Sequence, residues 1–103
     1  MEINISTRHG SISDETREKV ANKIEKLPRF FDRISSIEVT IDLEHRDMPT
    51  VDLRVSVKNR EFVATSQSQE LMASMDQVVD KLEQQLRKHK EKSVDRHRSA
   101  GHR

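Results

Sequence analysis

Two stretches in the middle of the chain alternate apolar and polar residues one by one, and they limit the fold more than any other feature. The apolar positions are Ile37, Val39, Ile41 and Leu43 in the first stretch, and Val51, Leu53, Val55 and Val57 in the second. Because side chains of a strand point alternately to opposite faces, both stretches are predicted to be strands with one buried face. The polar connection over residues 45–50 is short, so the two strands are predicted to pair antiparallel.

Weaker patterns before and after these strands complete the predicted fold. Residues 2–7 alternate and predict an opening strand, and a helix capped by Ser13 should follow until Pro28 stops or distorts it. Residues 61–65 predict a third strand of the meander, and a long helix then runs to about Lys92. The order β-α-β-β-β-α predicts a two-layer α+β domain, with two helices on one face of a four-stranded sheet, as in double-stranded RNA-binding modules. The first β-α-β unit is expected to be a right-handed crossover between parallel neighbours.

The second helix carries an apolar stripe at helical spacing, formed by Leu71, Met75, Val78, Leu82 and Leu86. This stripe is predicted to be core, with Met75 and Leu82 under the sheet. Apolar residues make up only 32% of the 103 residues and aromatic residues only 3%, so one thin core is expected. Residues 1–92 are predicted to form the domain, and residues 93–103 a basic, disordered tail or linker.

Positive charge is concentrated at one end of the chain. Between Arg87 and Arg103 seven Lys or Arg stand against two acidic residues, a local net charge of +5, whereas the whole chain carries +1. A basic end on an otherwise acidic domain suggests a polyanionic partner that is approached from one side. A solvated, unstructured end accounts for the same charges, and composition does not separate the two interpretations.

Both predicted helices also sort their charges by face. On a helical wheel the lysines of each helix fall within about 40° of one line, and its acidic residues fall on another face. These lysine lines are Lys19, Lys23 and Lys26 in the first helix, and Lys81, Lys88 and Lys92 in the second. Like charges at this spacing repel slightly, so the sorting favours a functional surface for a regularly charged polyanion such as nucleic acid. With only three Phe and no Tyr or Trp, contact with RNA shape and phosphates is expected rather than base stacking.

The residues that catalysis or metal binding would need are scarce. There is no Cys, which excludes disulfides, thiolate catalysis and Cys-ligated zinc, and fits a reducing cytoplasm. The five histidines form no HxxxH or HExxH pattern, and the two glycines exclude a P-loop or a dinucleotide fingerprint. A Ser-His-Asp triad stays open, although no GxSxG elbow supports one. No apolar run is long enough to span a membrane. The sequence therefore predicts no enzyme, metal site, cofactor, small-molecule substrate or membrane partner.

Two longer strings carry a resemblance to a known family. Residues 26–34, KLPRFFDRI, and residues 79–90, VDKLEQQLRKHK, resemble the hibernation-promoting factors, also called ribosome-associated inhibitors or sigma-54 modulation proteins. Residues 3–6 and 64–66 are similar to that family too, so the resemblance covers residues 1 to about 92 in order. Pro28 departs from the charged or polar residue expected at its position.

The resemblance implies a cytoplasmic, ribosome-associated protein that binds the small ribosomal subunit between head and body. There it would contact ribosomal RNA and neighbouring ribosomal proteins over the tRNA and mRNA path, and inhibit translation by occupancy in stationary phase or stress. The family's RNA-contacting basic positions match Lys23, Lys26 and Arg29 on the first helix, and Lys81, Arg87, Lys88, Lys90 and Lys92 on the second. Lys19, from the first lysine line, and His89, from the run Arg87 to Lys90, complete the predicted RNA-binding set.

Two alternatives from other classes stay open at this point. One is a protein-interaction module that modulates a transcription factor, which the older family name suggests, and the other is a metal- or substrate-binding enzyme. RNA binding predicts an affinity that falls steeply with salt, whereas a hydrophobic protein interface would be nearly insensitive to salt. The chain also lacks the dimer-forming second domain of long family members, so it matches a short form or the first domain of a long one.

Overall fold

Strands and helices follow the predicted order along the chain. The computed structural model describes residues 2–31 and 33–101, without the side chains of residue 30 and of residues 90–101. The elements are β1 (Glu2–Arg8), α1 (Asp14–Ile24), α2 (Lys26–Phe30), β2 (Ile34–Asp42), β3 (Thr50–Val57), β4 (Arg60–Gln67) and α3 (Leu71–Gly101). The predicted α+β class is confirmed.

The four strands form one sheet in the order β1-β2-β3-β4. β1 pairs with β2 in parallel, as predicted, and the pairs β2–β3 and β3–β4 are antiparallel. In the resulting register Ile5 lies beside Val39, Val39 beside Leu53, and Leu53 beside Ala64. Since alternate residues share a face, this register aligns the apolar positions of all four strands beneath the helices.

The core lies between the sheet and the helix layer. α1 and α2 bury Val20, Ile24 and Leu27 against it, and α3 buries Met75, Val78, Leu82 and Leu86. Met75 and Leu82 are fully buried, which confirms their predicted place under the sheet. The sheet side of the core consists of Ile, Val and Leu from β2 and β3 together with Ala64 of β4. No large aromatic ring is fully buried among the described side chains, so the layer is thin and depends on close aliphatic packing.

The first helix is interrupted earlier than predicted. Ser13 accepts a hydrogen bond from the Thr16 backbone N–H, as an N-cap does, but α1 ends at Ile24 and a separate five-residue helix, α2, contains Pro28. Proline cannot donate a hydrogen bond to the carbonyl four residues earlier, and its ring collides with that carbonyl. For Pro28 that residue is Ile24, where α1 ends. Pro28 then stands in the first turn of α2, where no N–H is required.

The last helix is longer than predicted. Its backbone is helical to Gly101, beyond the expected end near Lys92. Residues 93–100 contain neither Pro nor Gly, so nothing in their backbone chemistry breaks the helix before Gly101. α3 therefore enters the segment that was expected to be an unstructured tail, while the division of the chain at residue 92 stays a prediction.

Candidate nucleic-acid interface

The lysine line of α3 faces the edge of the sheet. The Lys81 ammonium donates to the Thr65 carbonyl of β4 at 2.9 Å, and the Gln85 side-chain amide donates to the Val63 carbonyl at 3.0 Å. Lys88, seven residues after Lys81, is exposed on the same side of the helix. Lys81 and Lys88 therefore lie on the flank of the helix layer that borders β4.

The lysine line of α1 faces α3 instead. The Lys23 ammonium lies 2.5 Å from a carboxylate oxygen of Asp76 on α3, with 29% of the Lys23 side chain and 63% of the Asp76 side chain exposed. The groove between the helices is lined by Lys23, Lys26, Leu27, Asp76, Val79, Asp80 and Glu83. The acidic face of α3 thus lies directly beside the lysines of α1, and the two lysine lines do not merge into one basic surface.

Four other predicted residues are exposed at this layer. Lys19 forms an i,i+4 ion pair with Glu15 at 3.7 Å, and Arg87 forms one with Glu83 at 3.4 Å. Exposed pairs of this kind are worth about 0.3–0.5 kcal/mol, so both cations are available to a stronger anion. Lys26 and Arg29 of α2 are exposed and have no ion-pair partner among the described side chains. The side chains of the predicted Lys90 and Lys92 lie outside the described residues.

His89 packs against β4, on the side of the helix layer that borders this strand. Its ring centroid lies 5.4 Å from that of Phe62, and its Nδ1 is 3.1 Å from an Arg60 guanidinium nitrogen. The same guanidinium lies 5.8 Å from the centre of the Phe62 ring. No sequence signal pointed to Arg60, because it lies 29 residues from His89 and only the packing of α3 against β4 brings the two together.

The open face of the sheet carries mostly acidic charge. Side chains that point away from the helices include the acids Glu2, Glu38, Asp42, Asp52 and Glu61 and the bases Arg8 and Arg54. Arg54 is paired with Glu61 at 3.2 Å, and the Thr65 hydroxyl donates to Asp52 at 2.6 Å. The open face therefore has a net negative charge, which disfavours contact with a polyanion there.

One cluster of ligand-type side chains lies away from the helix layer. His9, Asp42 and Glu44 meet where β1 and β2 end, with their nitrogen and oxygen atoms within 4.8 Å of one another. Asp42 is 2.9 Å from His9 Nδ1 and also accepts from the Glu44 backbone N–H. These hydrogen bonds, that from His9 foremost, lower the pKa of Asp42 below its ordinary value of 3.8. His9 and Asp42 are 33 residues apart, so sequence spacing gave no signal for this cluster.

A sheet with an acidic open face, covered by helices that carry separate lysine lines, defines a small α+β binding domain. Within the described residues, no helix has the length and apolar character to cross a membrane. The family model of the sigma 54 modulation protein / S30EA ribosomal protein matches residues 3–94. The chain belongs to this family, whose members are ribosome-associated hibernation factors and not enzymes.

Named relatives and solved structures agree with this membership. The chain is 36% identical over 96 residues to the ribosome hibernation promoting factor of Azotobacter vinelandii, covering 93% of this chain and 89% of that protein. It is 36% identical over 92 residues to the Escherichia coli protein of the same name, covering 89% and 96%. A ribosomal subunit interface protein from Coxiella burnetii superposes with a TM-score of 0.79 at 27% identity, covering 87% of this chain and 98% of that one. The N-terminal domain of Thermus thermophilus Protein Y, at 24% identity and a TM-score of 0.75, shares the fold and covers 86% and 99%.

Proposed function

We propose that this chain is a cytoplasmic ribosome hibernation factor that binds ribosomal RNA of the small subunit at the tRNA and mRNA path. By occupying that path, with neighbouring ribosomal proteins as further contacts, it inhibits translation in stationary phase or stress. The observation that carries the proposal is the charge difference between the two faces of the domain. Residues 14–29 and 71–89 of the helix layer carry eight bases and seven acids, sorted onto separate faces, whereas five acids and two bases occupy the open face of the sheet.

The predicted cations differ in how readily each can meet a phosphate. Lys26, Arg29 and Lys88 are exposed and are offered as the principal contacts. Lys19 and Arg87 would exchange a weak surface ion pair for a phosphate, which costs little. Lys23 and Lys81 must first leave Asp76 and the Thr65 carbonyl, so their contribution is smaller. His89 adjoins this surface, and Lys90 and Lys92, whose side chains lie outside the described residues, are predicted contacts from the sequence alone.

The separation of the lysine lines favours structured RNA as the ligand. The lysine line of α1 borders the groove between the helices, and the lysine line of α3 borders β4. Between them lies an acidic strip on α3, formed by Asp76, Asp80 and Glu83. A single phosphate backbone laid across the layer would cross that acidic strip. Two backbone segments, one for each line, avoid it, and structured RNA can present phosphates from two neighbouring backbone segments. Recognition by shape and phosphates fits the absence of exposed aromatic platforms among the described side chains.

The test compares two variants that lose the same formal charge, one from the helix layer and one from outside it. Replacing Lys26, Arg29 and Lys88 by Gln should weaken co-sedimentation with purified small subunits and flatten the log-log salt slope by roughly 2–3 units. The control replaces Arg8 and Arg54 of the open face, and Arg46 of the exposed loop between β2 and β3, by Gln. Its slope should change by less than about 1 unit, because these cations lie outside the helix layer. Equal losses would mean that diffuse attraction, and not the helix layer, carries the binding.

Occupancy of the tRNA path can be measured separately, by competition with tRNA. The parent protein and initiator tRNA should exclude one another on small subunits, and the protein should lower translation in a purified system. Unchanged tRNA occupancy with the protein fully bound would refute this mechanism. An affinity that does not change between low and high salt would favour the protein-interaction module instead.

A further inference from the structure

Both edges of the sheet receive hydrogen bonds from helix side chains. On the β4 edge, Lys81 donates to the Thr65 carbonyl and Gln85 to the Val63 carbonyl. On the β1 edge, an Arg17 guanidinium nitrogen donates to the Ile5 carbonyl at 2.8 Å. Each donor belongs to the helix that lies nearest that edge. These three contacts have a common geometry, since in each a long polar side chain reaches down to a carbonyl of an edge strand.

The alternation of hydrogen bonding shows that these carbonyls point away from the sheet. β3 and β4 are joined by a two-residue turn. The pair that flanks it, Val57 and Arg60, therefore exchanges two backbone hydrogen bonds, and so does every second pair along the strands. Val63 and Thr65 fall on the positions in between, and their backbone groups face outward. In β1 the Arg8 carbonyl accepts from Leu43 on the β2 side, so the Ile5 carbonyl, three residues earlier, faces outward as well.

β4 is the strand for which an open edge is most hazardous. It is eight residues long, and its apolar Val63 side chain is 46% exposed, the largest exposed fraction among the described large apolar residues. An extended edge strand with free backbone groups and apolar side chains is a template for pairing with another chain. Residues 62–66 add high strand propensity without Pro, Gly or a charged residue.

We propose that Lys81 and Gln85 close the β4 edge, and Arg17 the β1 edge, against strand addition by a second copy of this chain. Each donor occupies an acceptor that an incoming strand would need, and its side chain covers the path of approach. Lys81 is then chiefly an edge-closing residue, which is a role apart from phosphate binding. The inference does not rest on the proposed function, because self-association is measured without ribosomes.

The test removes the two side chains that bond to the β4 edge and then measures self-association. The double variant Lys81→Ala, Gln85→Ala should show an association constant at least about tenfold above that of the parent in sedimentation velocity, with unchanged far-ultraviolet circular dichroism. Two β4 edges that pair with each other form a closed dimer. Adding Arg17→Ala opens the second edge and should shift the species beyond dimers.

A matched control loses the same positive charge and the same side-chain amide as the test variant. The variant Lys88→Ala, Gln84→Ala removes one Lys and one Gln from the same helix, at exposed positions whose side chains, unlike those of Lys81 and Gln85, form no hydrogen bond to the described part of β4. Its self-association constant should equal that of the parent. Equal association of both double variants would show that lost charge is the cause and would overturn the proposal, as would a Lys81, Gln85 variant that behaves like the parent.

A third variant identifies the surface that associates. Adding Val63→Pro to the Lys81, Gln85 variant removes an outward N–H and no bond of the ladder, a position where edge strands tolerate proline. Association should return to the parent level. Persistent association in a variant that retains the parent circular dichroism would mean that another surface pairs, and the β4 edge would be excluded.

Discussion

Replacing Asp76 by Asn is expected to change ribosome binding and stability in opposite directions. Asp76 lies in the acidic strip between the two lysine lines and holds the Lys23 ammonium at 2.5 Å. If phosphates approach this layer, Asp76 repels them and also competes for Lys23. Its replacement by the neutral amide removes both effects while preserving the size of the side chain.

The magnitudes follow from the exposure of the pair. Both side chains are in contact with solvent, so the ion pair contributes about 0.2–1 kcal/mol to folding, and the variant should lose no more than that in urea unfolding. One fewer acidic charge near the ligand is worth on the order of 0.5–1 kcal/mol, which corresponds to roughly two- to fivefold tighter binding. If Lys23 gains a phosphate, the salt slope should steepen by about 0.7–0.9 units.

The assay is co-sedimentation with small subunits at several salt concentrations, alongside Glu38→Gln as a control. Glu38 is exposed on the open face of the sheet, and its replacement changes the net charge by the same amount. Attraction by net charge alone predicts an equal gain from both variants, whereas the helix-layer interface predicts a gain from Asp76→Asn only. Weaker binding of Asp76→Asn would refute the reasoning, because it would make Asp76 a contact and not a competitor.

Three further predictions concern the fold itself. Leu82→Ala, at a fully buried position, should lower the free energy of unfolding by about 2–5 kcal/mol in urea titrations, and a cost under about 1 kcal/mol would contradict the assigned core. Lys58→Gly should raise the free energy of unfolding by about 1 kcal/mol, seen as a higher Tm, because Lys58 has a φ of 55° that glycine adopts without strain. In Asp42→Asn the stability deficit relative to the parent should be present above pH 3.8. It should shrink as the pH falls through the lowered pKa of Asp42, since protonation ends the advantage of the charged carboxyl, and a deficit that does not shrink in acid would exclude this origin.

Local patterns were sufficient to predict most of the architecture. Alternation over 37–43 and 51–57 depends only on the pleat of a strand, and the stripe through Met75 and Leu82 depends only on the helical repeat. Both signals reflect burial of one face, which any compact fold of this chain must satisfy. The element order then left few topologies, because parallel strands require a crossover and antiparallel ones a short turn.

The details of helix ends were less accessible from sequence. Pro28 indicated an interruption of the first helix, but the break falls at Ile24, where the carbonyl that proline cannot use is located. The sequence predicts that α3 ends near Lys92, whereas its backbone is helical to Gly101, and residues 93–100 contain no helix breaker.

The sequence by itself determined which residues share a face of each helix, and hence that each helix carries a lysine line. Only the tertiary structure decided what each line faces, because the orientation of one helix toward another depends on packing between residues far apart in the chain. Lys23 and Asp76 are separated by 53 positions, and Lys81 and Thr65 by 16. No local pattern contains these distances, so the acidic strip between the lysine lines and the closed edge of β4 emerge only when the helices lie on the sheet.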